Sequence, residues 1–138
     1  MKSIKQSLIL ALFLISTAVN SQAKKQSLVG TWRLVFSNGK TSNGSWKNDS
    51  SEIFQTKMIT PSRFVFTIYD RKSDSLLMSA QGKISVSGNT YIETIEKSSM
   101  KDMIDKTYKY KSTITGNKWR IEGGGNDLEL SEEWIRIE

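Results

Sequence analysis

The sequence predicts an all-β fold: a single up-and-down antiparallel β-barrel of about eight strands with one open, loop-rich end. Three observations carry that expectation. Period-two alternation fills the chain from Gly30 onward, and no run of useful length repeats at helical spacing. Short turn signals, Ser87-Gly88-Asn89 and Gly116-Asn117, separate neighbouring runs. The connections alternate between long and short: in order they hold 14, 3, 5, 3, 10, 2 and 4 residues. In an antiparallel meander successive connections fall at opposite ends, so the long ones gather at a mouth and the short ones at a floor.

The strand candidates follow in order. Gly30 to Ser37 (GTWRLVFS) opens the barrel. In Glu52 to Ile59 (EIFQTKMI), Phe54 and Met58 are read as inward. Arg63 to Asp70 (RFVFTIYD) puts Phe64, Phe66 and Ile68 on one face. Leu76 to Val86 (LLMSAQGKISV) brings in Met78 and Ile84. Thr90 to Lys97 (TYIETIEK) has Tyr91, Glu93 and Ile95 on one face and Ile92, Thr94 and Glu96 on the other. Tyr108 to Thr115 sets Tyr108, Tyr110, Ser112 and Ile114 against Lys109 and Lys111. Lys118 to Gly123 sets Trp119 and Ile121 against Lys118, Arg120 and Glu122. Leu128 to Ile137 closes the series with Leu128, Leu130, Glu132, Trp134 and Arg136 on one face. Alternation of this kind marks half-buried antiparallel strands. Between the fifth and sixth runs, Met100, Met103 and Ile104 stand at helical spacing, enough for one or two turns.

The first 23 residues read as a secretory leader. Lys2 and Lys5 form a basic start, Leu8 to Val19 is a short apolar run, and Ser21 to Ala23 offers small residues for cleavage after Ala23. The apolar run is short for a membrane span, and no cysteine follows it to carry a lipid, so no membrane anchor is expected. Residues 24–138 then form one domain, exported to the periplasm or secreted. Without the two leader lysines, 18 basic side chains face 14 acidic ones, and the basic ones are scattered. Scatter points to solubility, not to a nucleic-acid footprint.

The absence of Cys and His removes whole classes of chemistry. Disulfides, thiol nucleophiles, Ser–His pairs and His-ligated zinc or haem are excluded. No calcium-loop pattern occurs, and neither a metal nor a cofactor is expected.

If the sheet closes, the first and last runs pair antiparallel at the floor, and Trp32 comes beside Arg136. A guanidinium over an indole stabilises by about 0.5–2 kcal/mol. These two residues are read as structural closure of the barrel.

Gly30-x-Trp32, within LVGTW, and the terminal Glu132-x-Trp134-x-Arg136 resemble the signatures of lipocalins and the wider calycin group. With KMITPSRFVFTIYD, GNTYIETIEKSS and GNKWRIEG, the chain from Leu28 to Ile137 is similar to small lipocalin-like domains of secreted bacterial proteins of unknown function. The resemblance implies a barrel of eight to ten strands, Tyr91 and Glu93 inside it, an undetermined small ligand and no catalysis. The stretch from Met100 to Lys106 departs from the family pattern, which has a glycine-containing loop there.

An interior Glu93 and Glu132 must be paired or protonated, because an unpaired buried carboxylate is costly. Arg136, the tyrosines Tyr91, Tyr108 and Tyr110, and the indoles of Trp119 and Trp134 are the partners in reach. Two acids against one base leave the interior at about −1 if all are ionised. Such a cavity disfavours a fatty-acid carboxylate and prefers a neutral or amine-bearing amphiphile. The same groups could equally form a Glu–Arg–Tyr network that fixes strand register, with no ligand. The apolar lining is read as Phe54, Met58, Phe64, Phe66, Met78, Ile84, Tyr110, Ile121 and Leu130. Trp46 lies in a polar stretch, Asn38 to Ser51, at the mouth, where it either covers the cavity or folds back on the rim.

The candidate ligand-binding residues are therefore Tyr91, Glu93, Tyr110, Trp119, Glu132, Trp134, Phe64, Phe66, Met78 and Trp46. The leading expectation is an exported, non-catalytic protein that binds a small apolar or amphipathic molecule. The alternative is a protein-interaction or inhibitor barrel that meets a protein partner through its mouth loops and has a filled interior.

Overall fold

A computed structural model describes residues 27–138. The leader expected over 1–23 lies outside them. Nine strands form one sheet: β1 (Gly30–Thr41), β2 (Gly44–Asp49), β3 (Ile53–Ile59), β4 (Arg63–Asp70), β5 (Leu76–Ser87), β6 (Thr90–Ser98), β7 (Thr107–Thr115), β8 (Lys118–Gly125) and β9 (Leu128–Arg136). Eight of them, β1 and β3 to β9, close into an antiparallel up-and-down barrel through pairing of β1 with β9. The ninth, β2, is an added strand on the outer half of β1.

That strand is a correction to the sequence reading. The polar stretch Asn38 to Ser51 is a hairpin, in which β1 runs on to Thr41 and β2 returns along it from Thr41↔Gly44 to Phe36↔Asp49. The inner half of β1 pairs instead with β3, from Gly30↔Ile59 to Arg33↔Thr56. Thus β2 and β3 run along the same edge of β1 in succession, and the β1–β2 hairpin stands up as a lip on the rim. Trp46 belongs to β2, and its ring lies over Gly39. A Cβ at Gly39 would come within 2.3 Å of the ring, so the close approach requires glycine.

A bulge in β1 opposite β9, between Leu34 and Phe36, resets the alternation. Trp32 and Leu34 point inward before it, and Ser37 does so after it. The short turns after β3, β5 and β7 form the floor, and the turns after β1, β4, β6 and β8 form the mouth. A single 3-10 turn, Lys101–Met103, occupies the β6–β7 connection.

The core is layered. At the floor Trp32, Trp119, Trp134 and Tyr91 are sealed from solvent. Between ring centres, Trp119 meets Trp32 at 5.4 Å, Trp134 at 5.8 Å and, in a T-shaped pair, Tyr91 at 5.2 Å. Pairs of this kind add about 0.5–1.5 kcal/mol each beyond their burial. Every indole N–H in this layer has an acceptor: Trp32 donates to the Leu28 carbonyl, Trp119 to Ser112 Oγ and Trp134 to Glu132 Oε2. The Arg136 guanidinium lies 4.2 Å from the centre of the Trp32 ring and donates to the carbonyls of Ser27 and Val29, both at 2.6 Å. The last strand is thereby tied to the segment that leads into the first.

Candidate functional site

Above the aromatic floor the barrel is hollow. A cavity of about 460 Å³ opens toward the mouth, a volume that suits one small ligand. Its walls are mainly apolar, with Ile53, Phe66, Ile68, Met78, Ile95 and Leu130 on the strands and Met100 and Met103 from the β6–β7 connection. Its lower part is polar. Gln55, Lys57, Glu93, Tyr108, Tyr110 and Glu132 reach it from four strands.

The candidate residues divide into two groups. Glu93, Tyr110, Glu132, Phe66, Met78 and Trp46 line the cavity. Tyr91, Trp119, Trp134 and Phe64 lie beneath it in the buried floor. Trp46 donates to Ser37 Oγ at 3.4 Å and forms part of the rim on the lip side.

Two expected lining residues are on the wrong face. Phe54 is 37% exposed and Met58 52% exposed, both on the outside. β3 instead points Gln55, Lys57 and Ile59 inward. The cause is register. Ile59 stands opposite Phe64, Lys57 opposite Phe66 and Gln55 opposite Ile68, and directly opposed residues share a face. Outside, Phe54 is covered by the Arg71 guanidinium at 5.2 Å.

The sequence reading therefore missed Lys57, whose side chain is 3% exposed. Its Nζ donates to Glu93 Oε1 at 2.5 Å, and the Tyr91 hydroxyl donates to the same oxygen at 2.6 Å. Five aromatic rings surround the ammonium: Trp134 at 5.1 Å, Phe66 and Trp119 at 5.5 Å, Phe64 and Tyr91 at 5.8 Å. Withdrawing either charge from water costs several kcal/mol, which a close ion pair, a second donor and ring faces offset together. The expected Glu–Arg–Tyr network is thus a Glu–Lys–Tyr network, with Arg136 spent at the floor.

Glu132 has a different environment. Burial pushes its carboxyl up to about 7, and Glu93 adds to the rise, against the opposing effects of the Lys57 charge and of hydrogen bonds from Trp134 and Ser37. Near neutrality it is shared between acid and carboxylate. Burial and the neighbouring Glu93 charge raise Tyr91 and Tyr110 above the ordinary phenol value, so both remain neutral. With Lys57 balanced by Glu93, the cavity base is neutral when Glu132 is protonated and carries −1 when it is not. The hydroxyls of Tyr108 and Tyr110 and the Gln55 amide have no hydrogen-bond partner among the described residues, yet no buried polar side-chain atom there is left unsatisfied. These three groups therefore remain open to the cavity. Among the described residues no cluster of acids could hold a metal ion.

No protein family matches the chain, and no curated protein matches it. One solved structure similar to it is that of an uncharacterized protein from Bacteroides eggerthii, at 15% identity and a TM-score of 0.52. The match covers 80% of this chain and all of that one, and it is a likeness of fold.

Proposed function

We propose that this chain is an exported, lipocalin-like binding protein that holds one small, mostly apolar molecule in its barrel and performs no catalysis on it. The observation that carries this reading is the cavity itself: apolar walls above unpartnered groups on Gln55, Tyr108 and Tyr110. An apolar body fills the upper part, and a polar end descends to those groups. Each buried methylene contributes about 0.8 kcal/mol, and the polar end is held by donors and acceptors that would otherwise be left to solvent. The leader read in residues 1–23 supports export to the periplasm or beyond.

The charge balance defines the preferred end group. A carboxylate ligand meets an ionised Glu132 above about pH 7 and gains little from a Lys57 already paired with Glu93. A neutral alcohol or ester avoids that repulsion.

Tryptophan fluorescence during titration with decanol and with decanoate tests the reading. Decanol is expected to bind more tightly than decanoate at pH 8, with the gap narrowing at pH 5.5. Absence of binding by either would reject the reading. Tighter binding of decanoate at pH 8, unchanged by Glu132→Gln, would reject the end-group preference.

A second reading has its own observation. Leu76, Leu77 and Met100 stand exposed on strand β5 and the β6–β7 connection at the mouth, and such apolar side chains could meet a protein partner. That alternative, however, called for a filled interior, and the hollow favours the ligand.

A further inference from the structure

Binding of an apolar molecule does not by itself account for a primary amine at the base of the cavity. Lys57 is the one cation buried among the described residues. A buried ion pair is an inefficient source of stability, since apolar side chains of similar size serve as well or better. Lys57 nevertheless lines the hollow, as do Glu93 and Glu132, carboxyl groups of two kinds. Glu93 holds its proton-bearing nitrogen directly. Glu132 is near enough to feel the Lys57 charge, and its indole partner Trp134 is also a wall of the ammonium cage.

We propose that Lys57 is a covalent anchor, forming an imine with an aldehyde ligand that enters the cavity. The inference rests on the binding reading and deepens it by naming the ligand class. The step balances without a co-reactant. The Lys57 ammonium passes a proton to Glu93, and the free amine pair attacks the carbonyl carbon. The C=O π pair moves to oxygen, which takes a proton from Glu132, giving a carbinolamine. The adduct's nitrogen, cationic after the attack, passes one proton to the hydroxyl, which leaves as water while the freed nitrogen pair forms C=N; this leaves a protonated imine, and the proton held by Glu93 returns to Glu132. The sum is ammonium plus aldehyde giving iminium plus water, with one positive charge on each side. The regenerated Glu93 carboxylate then faces the iminium as it faced the ammonium, and the ring faces that surround Nζ suit a delocalised cation. The division of labour between the carboxyls follows from environment: one is a charged partner, and the other is protonated often enough near neutrality to act as an acid.

The full protein is incubated with decanal and reduced with cyanoborohydride, and the modified lysine is located by peptide mass spectrometry. para-Dimethylaminocinnamaldehyde gives an absorbance readout, because its protonated imine is red-shifted. Lys57 is expected to be modified about tenfold or more faster than exposed lysines such as Lys72, Lys109 and Lys111. The red shift should vanish in Lys57→Arg and in Lys57→Met, and decanol binding to each variant shows that the barrel still folds. Glu93→Gln should slow adduct formation, because no carboxylate takes the ammonium proton, and should reduce the red-shifted fraction at pH 8, because the iminium loses its counter-charge. Decanol binding without preferential trapping at Lys57 would overturn the anchor and leave the binding reading intact. If neither decanol nor decanal enters, both fail. Labelling spread evenly over the surface lysines would also overturn the anchor.

Discussion

Lys57 Nζ and Glu93 Oε1 stand 2.5 Å apart at the base of the barrel, with both side chains almost wholly removed from water. The first sits on β3 and the second on β6, strands that are not neighbours in the sheet. The pair therefore spans the interior and depends on closure. Removing one partner leaves the other charge buried alone. Lys57→Met and Glu93→Leu are each expected to cost roughly 3–5 kcal/mol in urea unfolding. The combined Lys57→Met, Glu93→Leu variant should recover most of that loss. A double variant as unstable as the two singles added together would show that the charges do not act as a pair.

This pair also shows what could be read from the sequence. Closure was legible, because connection lengths and alternation do not depend on what fills the barrel. The inward faces of β4, β7, β8 and β9 were legible because each has one clearly apolar or aromatic side; β6 has two mixed faces, Tyr91, Glu93 and Ile95 against Ile92, Thr94 and Glu96, and only the family resemblance implied which of them turns inward. β3 was not legible, since both its faces are mixed: Phe54 and Met58 on one, Ile53 and Ile59 on the other. Hydrophobicity alone chose the richer face and turned Lys57 outward. The missing signal was the tight turn at Thr60 to Ser62. It sets Ile59 against Phe64, and that register carries Lys57 to the side of Phe66. The β1–β2 hairpin was hidden for another reason. It lies above the core, so its polar residues need no apolar alternation, and its pairing follows from the backbone.

Glu132 gives the fold a pH dependence with a definite sign. Its folded value of about 7 lies above the ordinary carboxyl value of 4.5. A group raised in this way favours the folded state below the unfolded value, and that contribution is lost as pH rises through the folded value. The window is therefore roughly pH 4.5 to 7, and the full loss is on the order of 3 kcal/mol. Glu132→Gln removes it. The stability of the variant relative to the parent should rise between pH 5 and pH 8, as measured by urea unfolding at both. A difference that is flat across that interval would mean that the carboxyl titrates normally. Asp49, Asp70, Glu96 and Asp127, whose values are lowered by hydrogen bonds and nearby cations, act with the opposite sign at more acid pH and cancel in the comparison.

Arg136 joins three floor elements through one guanidinium: the Trp32 ring and the carbonyls of Ser27 and Val29. Lysine can keep the charge near the ring but lacks the planar fork that reaches two carbonyls. Arg136→Met is expected to destabilise by about 2–3 kcal/mol, from the lost cation–π contact and charge-assisted hydrogen bonds. Arg136→Lys should recover less than half of that. Thermal unfolding monitored by tryptophan emission measures both, since the affected indole is at the floor. Full recovery by lysine would show that charge alone matters and that the two carbonyl bonds contribute nothing.

Gly39 and Trp46 control the rim. A methyl group at Gly39 would fall 2.3 Å from the Trp46 ring and 2.8 Å from the Glu129 carbonyl oxygen. The ring can swing outward, but the carbonyl belongs to a strand bonded directly to β1 and cannot yield without bending the sheet. Gly39→Ala is therefore expected to cost about 1–3 kcal/mol of stability, as overpacking does. Trp46→Ala leaves the pairing intact and should cost less, because the ring is only half-buried. The order reverses for ligand retention. Trp46 lines the cavity at the lip, so its removal should speed decanol release by about fivefold, the equivalent of about 1 kcal/mol of lost contact. Stopped-flow displacement, followed by emission of the buried tryptophans, separates the two effects. An unchanged release rate in Trp46→Ala would place the ring outside the ligand's exit path and leave it a purely structural cover for Gly39.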